Sequence, residues 1–394
     1  MPPEPVDLLI EARWVLPIAP VNTVLPDHAV AVTSGRIVGL GPVAEMTERF
    51  VARDRVVRRD HALLPGFVNA HTRAAMTLLR GLALQGQRFT RADFAREGTQ
   101  LAVAEMLRAG TTSFADMNLF PEEAARVAST ARMRATIGLP VADEPNIWAD
   151  SATAHFERAE QLWDEYRADP WVNFYFAPQE ASDDTLVRLR RVADELDARI
   201  AMESPPLRRL HSLGLLRHGF TAIPHSVWDP DEEAIATSTG ISVVGCLQSD
   251  LRLGAGRRDW TGLGSGDPAS VGALDMLAEA RMAGLLGVAA SDALRLATLG
   301  GATALGFGND TGSIETGKYA DLICVDLNRL ACQPISSVPD SIVFGATREQ
   351  VSDVWTSGRL AVTEGHLLAF NEDELTASVQ KWQTIEWQNI RGGA

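Results

Sequence analysis

Hydrophobic and polar residues alternate in short runs near both ends of the chain. Residues 29–33 and 36–40 are two such runs on either side of a Ser34-Gly35 turn, and residues 319–370 have the same texture. Alternation with a period of two, broken by glycine turns, is typical of antiparallel sheet. Because one helical region separates these parts, we predict a small β-sandwich domain built from both termini, residues 1–60 and 319–370.

Between the two ends, short apolar runs alternate with helical stretches about every 25–40 residues, the rhythm of a parallel (β/α)8 barrel. We therefore predict an α/β fold with such a barrel over residues 61–318. Barrel strands are expected near residues 63–71, 111–117, 134–142, 171–177, 199–203, 219–225, 241–247 and 261–266. Helices are expected in the gaps, for example over residues 94–109 and 183–197.

The C-terminal residues 371–394 form a third part of the chain. They carry Trp382 and Trp387 at helical spacing. This pattern predicts an amphipathic helical tail that packs on the barrel or on a second subunit.

Composition narrows the class of protein. The net charge of −15 argues against nucleic acid or an anionic membrane as a partner, since both need a basic face. No apolar run reaches the roughly 18 residues of a membrane span, and the N-terminus lacks the pattern of a signal peptide. The three cysteines, Cys246, Cys324 and Cys332, form neither a metal motif nor a disulfide framework. We therefore expect a cytoplasmic protein.

The segment 63–73 is an apolar run that leads to the polar tip His71-Thr72-Arg73. A buried parallel strand ends in this way where it delivers side chains to a site at its carboxyl end. His71 and Arg73 are two residues apart, so on a strand they point to the same side.

This segment resembles the first barrel strand of the amidohydrolase superfamily. It is most similar to the branch of 5'-methylthioadenosine/S-adenosylhomocysteine deaminases and s-triazine hydrolases, which read PG-x-x-N-x-HTH where this chain ends in HTR. Residues 312–322 match the family's GS-x-x-x-GK-x-ADL, and residues 105–112 and 298–302 match further motifs. The resemblance covers nearly the whole chain and implies a TIM-like barrel of the amidohydrolase type, a small-molecule substrate and a homo-oligomer, most simply a dimer.

The resemblance also identifies the positions of the family's metal ligands, which are two histidines on strand 1, one on strand 5 and an aspartate on strand 8. His71 is retained, but Arg73, Ile200 and Gly266 stand at the other three positions, with Asp267 next to Gly266. A zinc site needs three or four N, S or O donors. We therefore expect that the metal site is lost and that the protein uses no cofactor.

The family's proton-transfer groups are retained. Glu203 stands at the glutamate of the strand 5 motif and His225 at the first histidine of the strand 6 motif. We expect this pair to act as general acid and base. Gln179 stands at the substrate-contacting histidine of strand 4. Trp228 replaces the second histidine of strand 6, where it either joins the core or stacks on a flat ligand.

Arg73 has two possible roles. Its fixed charge repels a cation, and with His71 it is suited to bind an anionic or polar group of the substrate. Alternatively it forms a salt bridge with Glu203 or Asp267 that fills the vacated metal site, because buried charges need partners. Ser270, with Asp267 near the tip of strand 8, is a further substrate-binding candidate.

Three functions agree with these residues. The leading prediction is a repurposed enzyme of the carbon–nitrogen hydrolase and deaminase lineage that works without metal on a small polar, nitrogen-containing or heterocyclic metabolite. In it Glu203 and His225 move protons, and Arg73 and His71 bind an anion. The first alternative is a metal-dependent hydrolase or deaminase with an altered site, in which His71, His225, Glu203 and Asp267 surround one zinc or iron ion. The second is an inactive homologue that acts as a binding or regulatory partner.

Overall fold

The computed structural model describes residues 2–80, 91–252 and 259–392, with the backbone alone for residues 385–392. Within these ranges the strands form two sheets of eight strands each. In chain order the strands are β1 (Glu4–Val15), β2 (Leu25–Thr33), β3 (Arg36–Pro42), β4 (Phe50–Pro65), β5 (Phe67–Thr72), β6 (Thr111–Asp116), β7 (Arg134–Val141), β8 (Val172–Pro178), β9 (Arg199–Glu203), β10 (Phe220–Ile223), β11 (Ser242–Gly245), β12 (Gly262–Leu263), β13 (Leu322–Asp326), β14 (Val351–Thr356), β15 (Arg359–Thr363) and β16 (His366–Leu367).

The barrel consists of β5 to β12, which follow one another around the sheet in chain order. Every neighbouring pair is parallel. The ring is completed by a parallel bridge between Thr72 and Gly266 and by the side chain of Asn69, which bonds both the backbone N–H and the hydroxyl of Ser265. Each predicted strand region overlaps one of these strands, so the predicted barrel is confirmed.

The second sheet combines strands from both ends of the chain in the order β16-β15-β14-β13-β4-β1-β2-β3. β4 pairs in parallel with β1 and antiparallel with β13, so one strand joins the two termini. Apolar side chains of β1 lie alternately in two clusters, with Leu8 and Ile10 in one and Val6 and Leu9 in the other. A domain built from both termini is therefore present. Its limits stay predictions, since β4 continues past residue 60 to Pro65.

One glycine joins the two sheets. Gly66 separates β4 from β5, and a Cβ atom at this position would lie 2.1 Å from Oγ1 of Thr112. Real Cβ atoms do not come this close to another heavy atom, so only glycine allows the chain to enter the barrel beside β6. This contact places β5, and the polar tip that follows it, in the barrel wall.

Helices cover the outside of the barrel. α5 is typical: Ser182 caps its N-terminus by accepting a hydrogen bond from the backbone N–H of Thr185, and Leu186, Leu189 and Ala193 face the core. The helices are α1 (Val43–Arg49), α2 (Ala92–Arg108), α3 (Pro121–Ala131), α4 (Ala152–Glu165), α5 (Asp183–Glu195), α6 (Leu207–Ser212), α7 (Pro230–Thr239), α8 (Leu247–Arg252), α9 (Pro268–Val271), α10 (Met276–Leu285), α11 (Ala290–Arg295), α12 (Gly301–Leu305), α13 (Val338–Asp340) and α14 (Glu372–Gly392).

Shorter helical turns connect several of these elements. The 3₁₀ turns are Ala74–Leu79, Leu330–Cys332 and Arg348–Gln350, and the π turns are Leu296–Gly300 and Ser341–Gly345. None of the described helices has the length and apolar composition that a membrane span requires.

The C-terminal helix α14 packs on the barrel through Trp382. This side chain is buried, meets the ring of Phe94 edge-on at 5.1 Å between centroids, and donates a hydrogen bond of 2.8 Å to Glu97 on α2. The predicted contact of the tail with the barrel is therefore present. The side chain of Trp387 lies outside the described residues, and contact with a second subunit stays a prediction.

Candidate active site

The candidate active site lies at the carboxyl ends of the barrel strands. His71 is on β5, Glu203 is the last residue of β9, and His225 follows β10 by two residues. Nε2 of His71 lies 2.9 Å from Oε1 of Glu203, and Nε2 of His225 lies 3.7 Å from the same oxygen. The predicted convergence of these three side chains is therefore present in the structure, because parallel strands bring their carboxyl ends to one face.

Arg73 completes this cluster by an ion pair with Glu203. Its Nε donates to Oε1 at 3.2 Å, and its Nη2 donates to Oε2. Burial lowers the pKa of Arg73, but the charge and hydrogen bonds of Glu203 raise it above its ordinary value. Of the two carboxylates that the sequence offered as partners for Arg73, the structure therefore pairs it with Glu203. Much of the guanidinium group is occupied by this carboxylate. Anion binding by Arg73 stays a prediction.

The electrostatic surroundings keep Glu203 ionised. Burial would raise the pKa of this carboxyl group, but its contacts with His225 and His71 and the charge of Arg73 hold the pKa well below its ordinary value. Burial would lower the pKa of His225, whereas Asp250 and Glu203 together raise it to about 9. Glu203 is therefore a carboxylate in this site, suited to accept hydrogen bonds or to ligate a cation.

Asp250 on α8 orients His225. Its Oδ1 lies 3.1 Å from Nδ1 of His225, and its Oδ2 accepts a hydrogen bond of 3.0 Å from the backbone N–H of Cys246. The carboxylate favours a proton on Nδ1, which directs Nε2 toward Glu203. Asp250 is not among the residues predicted from the sequence. The available signal was an acidic residue just after a predicted barrel strand, with its partner on the neighbouring strand end.

A second unpredicted pair lies at the end of β6. Asp116 is fully buried, and its Oδ1 accepts hydrogen bonds from the backbone N–H of Ala74 at 2.7 Å and from Nδ2 of Asn118 at 2.6 Å. Burial raises the pKa of Asp116, although these donors and the nearby charges of His71 and Arg73 oppose the shift. Polar residues directly after a buried strand were the signal that could have identified this pair.

A cavity of about 390 Å³ opens beside the cluster, with Arg73 and Glu203 in its wall. Its lining includes three amides and three methionines: Asn118, Asn146, Gln179, Met76, Met117 and Met202. Gln179 thus lies where the sequence predicted a substrate contact, although its role stays a prediction. Amides with thioethers make a wall that can hold a flat polar ring.

The other predicted site residues make no contact with Glu203 that the structure describes, although the charge of Asp267 acts on Arg73. Asp267 accepts a hydrogen bond of 2.9 Å from the backbone N–H of Ala269 and caps α9, the short helix that contains Ser270. Trp228 is buried in the hydrophobic core. Cys246, directly after β11, is also buried, and burial raises the pKa of its thiol. Substrate binding by Asp267, Ser270 and Trp228 stays a prediction.

The donor atoms of this cluster are suited to bind a metal ion. Among the described residues His71, Glu203 and His225 each offer one ligand atom, and these atoms lie within 4.8 Å of one another. Two imidazoles and one carboxylate are the donor set of several catalytic zinc sites, which leave a fourth position open. Asp250 supplies the carboxylate that commonly holds a metal-bound histidine. Asp267, the fourth donor of the metal-dependent alternative, is not part of this group.

Comparison with known proteins identifies the family to which the chain belongs. The model of the amidohydrolase family matches residues 62–204 and 202–361. The 5-methylthioadenosine/S-adenosylhomocysteine deaminase of Teredinibacter turnerae is 31% identical, over 96% of this chain and 97% of the relative. A zinc-bound crystal structure of an adenosine deaminase from Xanthomonas campestris is 37% identical, with a TM-score of 0.93 and coverage of 97% and 99%. The zinc-complexed atrazine chlorohydrolase of Arthrobacter aurescens, 18% identical with a TM-score of 0.86 and coverage of 95% and 100%, shares the fold.

The chain therefore belongs to the amidohydrolase family, and it is a hydrolase that acts on carbon–nitrogen bonds. The prediction that it uses no cofactor is wrong. The adenosine deaminase structure that is 37% identical holds zinc, which points to a metal cofactor. The leading prediction counted the replaced ligands and assigned Glu203 and His225 to proton transfer. The metal-dependent alternative instead placed both residues with His71 around one ion, and the structure brings these three donors together.

Proposed function

We propose that this protein is a metal-dependent deaminase or related hydrolase of an amino-substituted nitrogen heterocycle. The ion would be held by His71, Glu203 and His225. The observation that carries the proposal is the convergence of these three donors within 4.8 Å at the barrel mouth, beside a cavity large enough for a heterocycle. The similarity to enzymes named as deaminases of 5-methylthioadenosine, S-adenosylhomocysteine and adenosine supports the substrate class.

The ion would supply a nucleophile at neutral pH by lowering the pKa of a bound water. The side chains around it have separate tasks. Asp250 favours the proton on Nδ1 of His225, so Nε2 is the nitrogen that would lose its proton and hold the ion. Arg73 holds Glu203 as a carboxylate through both oxygens. Its positive charge also lies where it can stabilise negative charge that develops on the ring of the substrate.

The experiment measures metal and ammonia together. Protein expressed with added zinc, or stripped with chelator, is assayed for metal content and for ammonia release from adenosine, 5-methylthioadenosine and guanine. We expect about one zinc per chain, since the donors form one group, and activity that chelator removes and zinc restores. His71→Asn should lower both. His211→Asn, at an exposed position of α6, is the matched control and should change neither.

A second candidate function is binding without turnover. The observation that favours it is the ion pair between Arg73 and Glu203, because a guanidinium on the carboxylate competes with a cation for Glu203. In this case the same ligands bind, yet no ammonia is released with or without zinc. That outcome, with zinc content near zero, would contradict the proposed deaminase.

A further inference from the structure

Three amide side chains line the cavity, and they differ in how their hydrogen-bonding groups are used. Oδ1 of Asn146 accepts from the backbone N–H groups of Trp148 and Ala149, and its Nδ2 lies 3.2 Å from Nε2 of His155. Asn146 therefore holds its own loop together. In Asn118, by contrast, one end of the amide is held and the other end is available.

The held end of Asn118 is its Nδ2 group, which donates to Oδ1 of Asp116 at 2.6 Å. Asp116 is itself fixed, because the same oxygen accepts from the backbone N–H of Ala74. An amide in isolation can turn by half a rotation and exchange its donor and acceptor ends. A neighbouring carboxylate oxygen that only accepts removes this freedom, so the amino end must face Asp116.

The available end is the carbonyl oxygen Oδ1. Among the residues that the structure describes, this oxygen has no hydrogen-bond partner. It is not one of the buried atoms that lack a partner, whereas Oδ2 of Asp116 is both buried and without a partner. Asn118 is only 8% exposed and lines the cavity. The geometry therefore presents one oriented acceptor to a molecule in the cavity.

The charges around the cavity favour the same kind of ligand. In the described part of the chain the charged side chains that line it are Arg73, Glu144, Glu180 and Glu203. Arg73 is paired with Glu203. The two remaining glutamates are exposed at the rim. An anionic ligand thus meets unpaired negative charge, whereas a neutral or cationic ligand with N–H groups does not.

We propose that Asn118 selects ligands that donate an N–H group, such as an exocyclic amine on a heterocycle, and that Asp116 is the positioning residue that orients Asn118 for this contact. The inference rests on the proposed function, from which it takes an amino-substituted heterocycle as the ligand. It assigns a specificity role to two residues outside the metal-donor group.

The test compares two ligands that differ at one amino group, where two methyl groups replace the two N–H donors in the second ligand. Titration calorimetry on the full-length protein stripped of zinc, which by the proposed function does not turn adenosine over, measures the affinity for adenosine and for the purine riboside with a 6-dimethylamino group. We expect the wild type to prefer adenosine by about tenfold, the usual worth of one hydrogen bond to a buried acceptor. Asn118→Leu should bring the ratio close to one, mainly by weakening adenosine binding.

The role of Asp116 has its own variants. Asp116→Ala frees the amide of Asn118 to turn and should reduce the preference several-fold, whereas Asp116→Asn can keep an acceptor for Nδ2 and should preserve it. A merely structural role would weaken both ligands equally. Asn309→Leu makes the same change as Asn118→Leu at an exposed position beside Arg199, at the other end of the barrel, and should leave the ratio unchanged.

Three results would overturn the inference. They are equal wild-type affinities for the two ligands, binding of neither ligand at millimolar concentration, and a ratio that persists in Asn118→Leu, which would point to steric exclusion of the methyl groups. Each is distinct from failure of the proposed function, which is read from zinc content and ammonia release. A protein that prefers adenosine but releases no ammonia would keep the inference and reject the deaminase.

Discussion

Two arginine–carboxylate pairs, one in the mixed sheet and one at the barrel mouth, have opposite surroundings. In the sheet Arg58 binds Asp353 through two hydrogen bonds of 2.7 Å each. Hydroxyl groups of Ser352 and Thr363 also donate to this carboxylate, and Asp353 is only 1% exposed. Every partner of Asp353 is therefore a structural neighbour, and the pair belongs to the packing of the sheet.

At the mouth the carboxylate of Glu203 contacts Arg73 together with two imidazoles, and it faces a cavity. The side chain of Glu203 is 21% exposed. The ion pair by itself is thus not the sign of a functional site. What distinguishes the mouth is that groups able to exchange a proton or bind a cation surround the same oxygen and that a ligand can reach them.

The largest expected effect is on the free energy of unfolding when the ion pair in the mixed sheet is broken. Asp353→Asn should lower the free energy of unfolding by about 3 kcal/mol at pH 7, because it leaves the charge of Arg58 uncompensated. Urea denaturation measures this loss. The matched change Glu203→Gln should cost less than about 1 kcal/mol, since Arg73 can regain water at the mouth. A larger loss for Glu203→Gln than for Asp353→Asn would contradict the comparison.

The pH dependence of the sheet pair provides a second prediction. Burial would raise the pKa of Asp353, but Arg58 and the hydroxyl donors hold it below the ordinary value of 3.8. A depressed folded-state pKa stabilises the protein above the unfolded pKa and loses this contribution as the pH falls below it. The difference between wild type and Asp353→Asn should therefore be full at pH 7 and shrink below pH 3.8. Urea midpoints from neutral pH down through this range check this; a difference that stays constant would show that the charge is not its cause.

The smallest expected effect is on zinc affinity when Asp250, which holds His225, is changed. Asp250→Asn should weaken zinc binding about 10–100-fold, the usual cost of losing a carboxylate behind a metal-bound histidine. Competition with a chromophoric chelator measures the affinity. Asp267→Asn is the control, because Asp267 caps α9 outside the donor group and should leave zinc affinity unchanged. Equal losses for both variants would favour a four-donor site that includes Asp267.

Sequence motifs shared with the amidohydrolases were enough to locate most of the mouth. His71, Glu203 and His225 are the last residues of three predicted strands. The carboxyl ends of parallel strands in a barrel share one face, so the topology predicted their convergence. The same motifs assigned Glu203 and His225 to proton transfer in the leading prediction, and the metal-dependent alternative used both residues as metal donors. They also made Asp267 a candidate for the site. Its carboxylate accepts a hydrogen bond from the backbone of its own helix, and its role in binding stays a prediction.

What the sequence by itself determined is the set of strands and helices, because the period of apolar residues is a local property that short segments carry. Only the tertiary structure decided which partner each polar group chose. Arg73 had two candidate carboxylates. The contacts of Asp116 with Asn118 at 2.6 Å and of Asp250 with His225 at 3.1 Å likewise depend on the exact distances between side chains at the strand ends. Such distances are set by the packing of the whole barrel, and no period along the chain records them.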